Sequence, residues 1–475
     1  MIFKYFGPPG TGKTHKLISR AKAYVRIGTP LHKIGYFAFT KTAARTAKSR
    51  MPAADKHLPH FQTLHSFAYH SLGLTESKVM QPYHYEDLGS TLGIRVKYQD
   101  KYNDEEINYL TCDNPYFQMI HKAMNLNISI RELYDRNEHN TKEIKDWDTL
   151  RYISVKLKEY KQKKKLYDFN DMIDSLINQG IKKEFDAVFI DEAQDLSPLQ
   201  WRLYDLLKTK TKDIYLAGDD DQAIFAWAGA DVNRFINEPA KERVLMYSKR
   251  ISKAVQMQSS IPVDKITGLR KEKKYLPRDY EGVVQNINRL DEVDLQKGNW
   301  LILTRTLSRL RKLGKELKKR NLYFQTKKEK SFKVRIFKAA INYTRWCNGQ
   351  ELDAKHIKDI KDYTGDIKWN KEKKWYEIFL KADTKEKDYI RNMLANGENL
   401  NEDARIFIST IHAIKGGEKD NVVICLDLGN KPKKAMQKSN EKADEEHRVW
   451  YVGITRARNN LYKLKANTRS NEYKL

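Results

Sequence analysis

The chain of 475 residues holds three cysteines, Cys112, Cys347 and Cys425. They are few, odd in number and far apart, which argues against a disulfide scaffold and fits a reduced, cytosolic compartment. No run approaches the ~18 consecutive apolar residues of a membrane helix, so no membrane-spanning segment is expected. The opening residues lack a long apolar core followed by small residues, so a secretory signal is not expected either. Acidic residues are in deficit, 62 Asp and Glu against 89 Lys and Arg, which leaves a net charge of +27. A chain this basic usually meets a polyanion, and the plainer reading is a basic surface with no ligand. Repeats of 20–50 residues are also missing, which sets aside solenoids and propellers. What remains is a globular mixture, 40% hydrophobic and 32% charged, too long for one core and of a length for three or four domains.

Ile2 to Phe6 reads as a strand, followed by a glycine-rich turn and a helix from Lys13. Ile34 to Phe39 is a second apolar run, and Thr42 to Arg50 looks helical. Residues 76–165 are rich in Tyr, Asn and charge and read as mostly helical. "FDAVFI" and "DIYLAG" are then short apolar strands ending beside acidic residues. A second alternation of strands and helices begins near 240, with "NWLILTR" a strand and "LSRLRKLGKELKKRN" a basic helix. Residues 346–402 form another helical stretch before "RIFISTIHAIKGGEKDNVVICLDLG" resumes the pattern. Such alternation implies parallel α/β sheets, here two, each interrupted by a helical insert.

Gly7, Gly12, Lys13 and Thr14 fit G-x-x-x-x-G-K-[ST] between a strand and a helix. Glycines let backbone amides curl around phosphate oxygens, and the helix N-terminus adds partial positive charge. Pro8, Pro9, Gly10 and Thr11 complete the loop, with His15 just beyond it. Lys13 is placed to reach the β- and γ-phosphates, and the Thr14 hydroxyl to hold Mg²⁺. In "VFIDEAQD" a strand delivers two adjacent carboxylates to its C-terminal end. Asp191 is suited to Mg²⁺, while Glu192 is suited to orient and deprotonate the attacking water. Gln222, in "LAGDDDQAIFAWAGAD", is placed to sense the γ-phosphate. A metal site built from Asp219, Asp220 and Asp221 is the poorer reading, because they repel one another without supporting ligands.

These motifs, in this order, resemble the UvrD/Rep/PcrA type of superfamily 1 DNA helicases. "GPPGTGKT", "FAFTKTAARTAKSRM", "TLHSF", "YDFNDMI", "VFIDEAQDLSPLQ", "LAGDDDQAIFAWAGAD", "STIHAIKGGEKDNVV" and "EEHRVWYVGITRAR" match the family's successive motifs along nearly the whole chain. The resemblance implies two RecA-like motor domains, with ATP between them and single-stranded DNA crossing both. Residues 1–75 and 166–239 are then the first motor domain with insert 76–165, and residues 240–345 and 403–475 the second with a reduced insert at 346–402. It further implies that Arg250 and Arg456 act from the second motor domain as arginine fingers, and that Glu418 lies near the ribose. Phe39 and Trp227 match positions that stack bases, with Phe225 a companion, while Thr40, Lys41, His65, Thr410 and His412 match positions lining the strand. ATP and Mg²⁺ are the implied cofactors. Implied partners are single-stranded DNA, single-strand/duplex junctions and replication or repair proteins, for a monomer or weak oligomer in the cytoplasm of a bacterium or of a host cell. Movement 3′ to 5′ is the family's direction.

Without the resemblance, Phe39 and Trp227 read as core residues and the arginines as surface or salt-bridge groups. His57, His60, His65 and His70 cluster in sequence, but no cysteine or acidic partner completes a zinc set. The basic stretch from Arg305 to Arg320 and the run Lys161–Lys165 are solvated helix faces or phosphate contacts. The chain also departs from the pattern. Lys249 stands where a base-stacking Tyr is usual, Ala228 where Arg is usual, and Gly417 where Leu is usual. Six residues precede the loop, so the family's adenine-reading segment is expected to be absent and base discrimination to be loose. Two functions stay open: a translocase that unwinds duplex, and a DNA-stimulated ATPase that strips proteins from single strands. No separate metal–carboxylate cluster supports a nuclease.

Overall fold

A computed structural model describes residues 1–52, 58–96, 113–136, 144 and 146–475. The chain divides into two compact units. The first comprises Met1–Ile251, Pro262–Asp279 and Lys438–Tyr451; the second comprises Ser252–Ile261, Tyr280–Gln437 and Val452–Leu475.

The first unit is built on six parallel strands: β1 (Ile2–Phe6), β2 (Ile34–Phe37), β3 (Phe61–Gln62), β4 (Phe185–Ile190), β5 (Thr211–Gly218) and β6 (Lys241–Val244). Their spatial order is β3-β2-β4-β5-β1-β6. The central strands are largely apolar because helices cover both faces, with Lys4 of β1 a buried exception. Along β4, Ala187 and Phe189 enter one core while Val188 and Ile190 enter the other. β6 pairs with β1 from Phe3–Lys241 to Phe6–Val244. The first sheet therefore runs past the expected boundary at 240, and its compact unit keeps the chain to Ile251. The sequence there misleads because "KERV" is an exposed edge strand without an apolar signature.

Helices Pro82–Thr91, Pro115–Leu126, Ile130–Asp135 and Trp147–Lys164 lie in the first insert. They share a core that includes Leu88, Phe117, Ile120, Leu150, Ile153 and Leu157. A buried ion cluster ties this insert to the helix Phe169–Gln179. Lys161 Nζ donates to Asp168 at 2.6 Å and to Asp171 at 2.7 Å.

The second unit repeats the parallel plan with β7 (Val283–Ile287), β8 (Trp300–Thr304), β9 (Phe324–Gln325), β10 (Ile406–Thr410), β11 (Lys419–Cys425) and β12 (Ala457–Leu464). Their order is β7-β12-β11-β8-β10-β9. Its helical cluster starts earlier than the expected 346. The helix Val334–Cys347 already contributes Ile336, Phe337 and Tyr343 to the same core as Ile360, Phe379 and Ile390. Among the described residues no helix is long and apolar enough to cross a membrane. Cys347 and Cys425 are free, and Cys112 lies outside the described residues.

Candidate functional site

In the first unit the chemistry gathers at the C-terminal ends of β1, β4 and β5. Gly7 follows β1 directly, and its amide donates to Gly218 O at 2.9 Å, which joins the loop to the end of β5. A Cβ on Gly7 would stand 2.1 Å from Lys13 Cγ, so only glycine leaves room for that lysine to fold along the loop. Lys13 Nζ donates to Gly7 O at 2.8 Å. Gly10 and Gly12 hold φ of 75° and 84°, where other residues are strained. The helix Lys13–Arg26 begins at Gly12 without a side-chain cap, which leaves its first turn suited to an anion.

Thr14 Oγ1 donates to Asp191 Oδ2 at 2.6 Å. These are hard oxygen donors, one hydroxyl and one carboxylate, beside a loop suited to phosphate. That set fits Mg²⁺, which keeps several waters and substrate phosphates in place of a full protein cage. No group of three His, Cys, Asp or Glu able to hold a metal occurs among the described residues. Burial raises the Asp191 carboxyl above its ordinary range, with the Glu192 charge adding to it; the Thr14 hydroxyl, Lys13 and Tyr36 act in the opposite direction.

Glu192 follows with φ 55°, a left-handed conformation that turns the chain sharply at the strand end. A hydrogen-bonded relay then crosses the strand ends. Gln194 Nε2 donates to Glu192 Oε2 at 2.6 Å, and Gln194 Oε1 accepts from the Asp219 amide at 3.0 Å. Gln222 Nε2 donates to Asp219 Oδ2 at 2.7 Å. Gln194 is fully buried, and a Cβ on Gly218 would stand 2.6 Å from its Oε1. The acidic run is held by cations from later in the chain. Lys273 Nζ lies 3.3, 2.5 and 2.8 Å from Asp219, Asp220 and Asp221, and Arg270 grips Asp221 with two bonds. The three carboxylates are thus an ion cluster around an ammonium.

The loop meets the segment after β6 through its backbone. Lys249 N donates to Gly10 O at 2.9 Å, and Ser248 Oγ donates to Pro9 O at 2.7 Å. Arg250 therefore sits within the first unit beside the phosphate loop, not in the second motor domain where the resemblance had put it. Lys249 and His15 are exposed.

The aromatic residues form a graded shelf. Phe39 and Phe225 stack with centroids 5.3 Å apart, and Phe225 meets Trp227 at 6.4 Å. Trp227 is 43% exposed whereas Phe225 is 2% exposed. Phe225 is thus not a base-stacking surface here, because its ring supports the other two. Thr40 spends its hydroxyl on the Ala43 amide, capping the helix Lys41–Ser49, whose first residue is exposed. His65 packs edge-on to Phe169, and burial lowers its pKa to about 4. His60 is a core residue, edge-on to Phe67 and Phe185; His70 is exposed, and His57 lies outside the described residues.

The second unit holds the other named residues. Arg456 is 1% exposed; its Nε donates to Val452 O at 2.9 Å and its Nη1 to Gly417 O at 3.4 Å, next to half-buried Glu418. Thr410 Oγ1 accepts from the Ala413 amide at 3.3 Å. Burial, with Arg305 and Lys415 close by, lowers the His412 pKa to about 3.

Sequence reasoning did not single out Gln194, Tyr36, Arg270 or Lys273. Gln194 was visible within "DEAQD", but its role depends on reaching across to β5. Lys273 is hidden in "RKEKK", which reads as a solvated charge run.

Residues 6–242 match the UvrD/REP helicase N-terminal domain, and residues 350–468 match the UvrD-like helicase C-terminal domain. The chain is 38% identical over 103 residues to the RecBCD enzyme subunit RecB of Buchnera aphidicola, covering 19% of this chain and 9% of that protein. It is 26% identical over 212 residues to the ATP-dependent DNA helicase PcrA of Staphylococcus epidermidis, and 23% over 214 residues to PcrA of Staphylococcus aureus. Each of those covers 41% of this chain and 28% of the relative, so the chain spans less than a third of the length of these relatives. With both domain models matched in order on two parallel α/β sheets, the chain belongs to the UvrD/Rep helicase family.

Proposed function

We propose that the protein is an ATP-driven motor that moves along single-stranded DNA, 3′ to 5′, and unwinds duplex ahead of it. The observation that supports this most is the short path from phosphate chemistry to the aromatic shelf. Gln222 is bonded into the relay that begins at Glu192, and Phe225 and Trp227 follow three and five residues later. A change at the nucleotide is felt on the surface that faces bases. Lys13 and the uncapped helix N-terminus hold the phosphates, Thr14 and Asp191 hold Mg²⁺, and Glu192 takes the proton of the attacking water. Arg250 stabilises charge as the γ-phosphate leaves. Phe39 and Trp227 stack bases, while Lys41, His65, Thr410 and His412 line the strand. The net charge of +27 suits a phosphate backbone.

Unwinding costs on average ~1.4 kcal/mol per base-pair step, which repeated hydrolysis can supply. The test is strand displacement on duplexes carrying a 3′ or a 5′ single-stranded tail, with ATP and Mg²⁺. Displacement from the 3′-tailed duplex alone is expected. DNA-stimulated ATPase without displacement on either substrate would replace this reading with the protein-stripping one.

A further inference from the structure

Tyr36 lies within β2, its ring fully buried, and its hydroxyl donates to Asp191 Oδ2 at 2.9 Å. The same oxygen accepts from Thr14, and Asp191 Oδ1 accepts from the Glu192 amide at 3.0 Å. The three donors differ in origin. Thr14 is itself an oxygen offered to the ion. The Glu192 amide belongs to the turn that carries the proposed base. Among the described residues, Tyr36 alone reaches the carboxylate from inside the sheet.

Its ring is held in a row of aromatic stacks that runs from strand to strand. Tyr36 stacks on Phe61 at 5.2 Å and on Phe189 at 6.5 Å. Phe189 stacks on Tyr215 at 5.0 Å, and Tyr215 on Phe3 at 4.9 Å. β3, β2, β4, β5 and β1 each contribute a ring to this floor. Phenylalanine would fill the place of Tyr36 in it equally well. A buried hydroxyl is costly without a partner, so its presence is explained by the carboxylate it meets.

We propose that Tyr36 is a positioning residue for the Mg²⁺ carboxylate. It fixes the orientation of Asp191 before the ion arrives. The proposal rests on the reading of this site as a Mg²⁺–nucleotide site. Hydrogen-bond partners of metal ligands are typically worth about 10–100-fold in metal affinity or activity, and one phenol among three donors belongs at the lower end.

The test is Tyr36→Phe in the full chain, with Mn²⁺ as the probe. Free Mn²⁺ is followed by electron paramagnetic resonance at a fixed concentration of a non-hydrolysable ATP analogue. Mn²⁺ affinity is expected to fall roughly tenfold, while the analogue binds equally to both proteins in chelator. In turnover the Mg²⁺ concentration for half-maximal rate rises by the same factor, and kcat at saturating Mg²⁺ stays within about twofold. Equal Mn²⁺ affinity in the two proteins overturns the proposal and leaves the hydrolysis reading standing. A kcat that excess Mg²⁺ does not restore also overturns it, because the residue then acts through the fold. A wild-type protein that binds no Mn²⁺–nucleotide overturns both.

Discussion

The two sheets have the same number of strands and the same parallel sense, yet the turn after β1 starts its helix differently from the turn after β8. After β8 the helix Leu307–Lys319 begins at once, and Thr306 caps it by accepting from the Arg309 amide. Thr40 after β2 and Thr63 after β3 do the same for their helices. After β1 the chain instead runs through Gly7 to Gly12, and no side chain caps the helix. A Thr cap satisfies one of the four orphan amides of a helix; a glycine leaves them for a ligand. The difference between a strand–helix unit that only supports the fold and one proposed to handle phosphate is thus made in a single turn. The architecture is common to both.

The sharpest way to break this comparison is to remove the chemistry that it confines to the first sheet. Glu192→Gln keeps the shape and the bond from Gln194 but removes the proposed base. Turnover is expected to fall roughly 10³-fold, with nucleotide affinity within about threefold. Steady-state ATPase and equilibrium binding of a fluorescent nucleotide check this. Retained turnover would take the base out of the first sheet and the comparison with it.

Next in size is the shelf beyond Gln222. Trp227→Ala removes the exposed ring and leaves Phe39 on Phe225. Single-strand affinity is expected to fall about 10–100-fold, in line with ~1–3 kcal/mol per stacked base. Fluorescence anisotropy with labelled oligonucleotides of mixed sequence measures it. Unchanged affinity would return Trp227 to the status of a surface aromatic.

The residues that carry local patterns were legible in the sequence. Gly12, Lys13 and Thr14 sit in a fixed spacing, and "FDAVFI" is strand-like on its own. Arg250 and Phe225 were misplaced because their settings depend on distant pairings. β6 pairs with β1 across more than 230 residues, and Phe225 is buried by Phe39 from another strand end. Tyr36 and Lys273 were invisible for the same reason. A tyrosine in an apolar strand and a lysine in a basic run carry no mark of the carboxylates they will meet.

Burial lowers the pKa of histidines in both units. His60 is 5% exposed in the first core, and burial, helped by the nearby Lys183, lowers its pKa to about 4. Its unfolded value is about 6.5, so the unfolded chain takes up the proton first. Stability from this group is complete above pH ~6.5 and is lost as pH falls toward 4. By pH 5 the loss from His60 alone is roughly 2 kcal/mol. His60→Phe keeps an aromatic ring against Phe67 and Phe185 and removes the proton. Urea unfolding at pH 7 and pH 5 should show a correspondingly smaller acid loss in the variant. An equal loss in both proteins would assign the acid sensitivity elsewhere, for example to His65 or His412.

The smallest expected effect is the most direct probe of the two helix starts. Thr306→Ala removes the cap of the helix Leu307–Lys319 and leaves its amides to water. The cost is about 1 kcal/mol, read as a lower denaturant midpoint with an unchanged slope. Nucleotide affinity should not move, because this helix start was never open to a phosphate. The first helix offers no equivalent substitution, since a capping side chain at Gly12 would have to adopt φ 84°. Its amides are kept uncapped by backbone geometry, and those after β8 are closed by one hydroxyl. A nucleotide affinity that falls along with stability in Thr306→Ala would show that the second sheet's helix start also takes part in binding, and the contrast between the two turns would no longer hold.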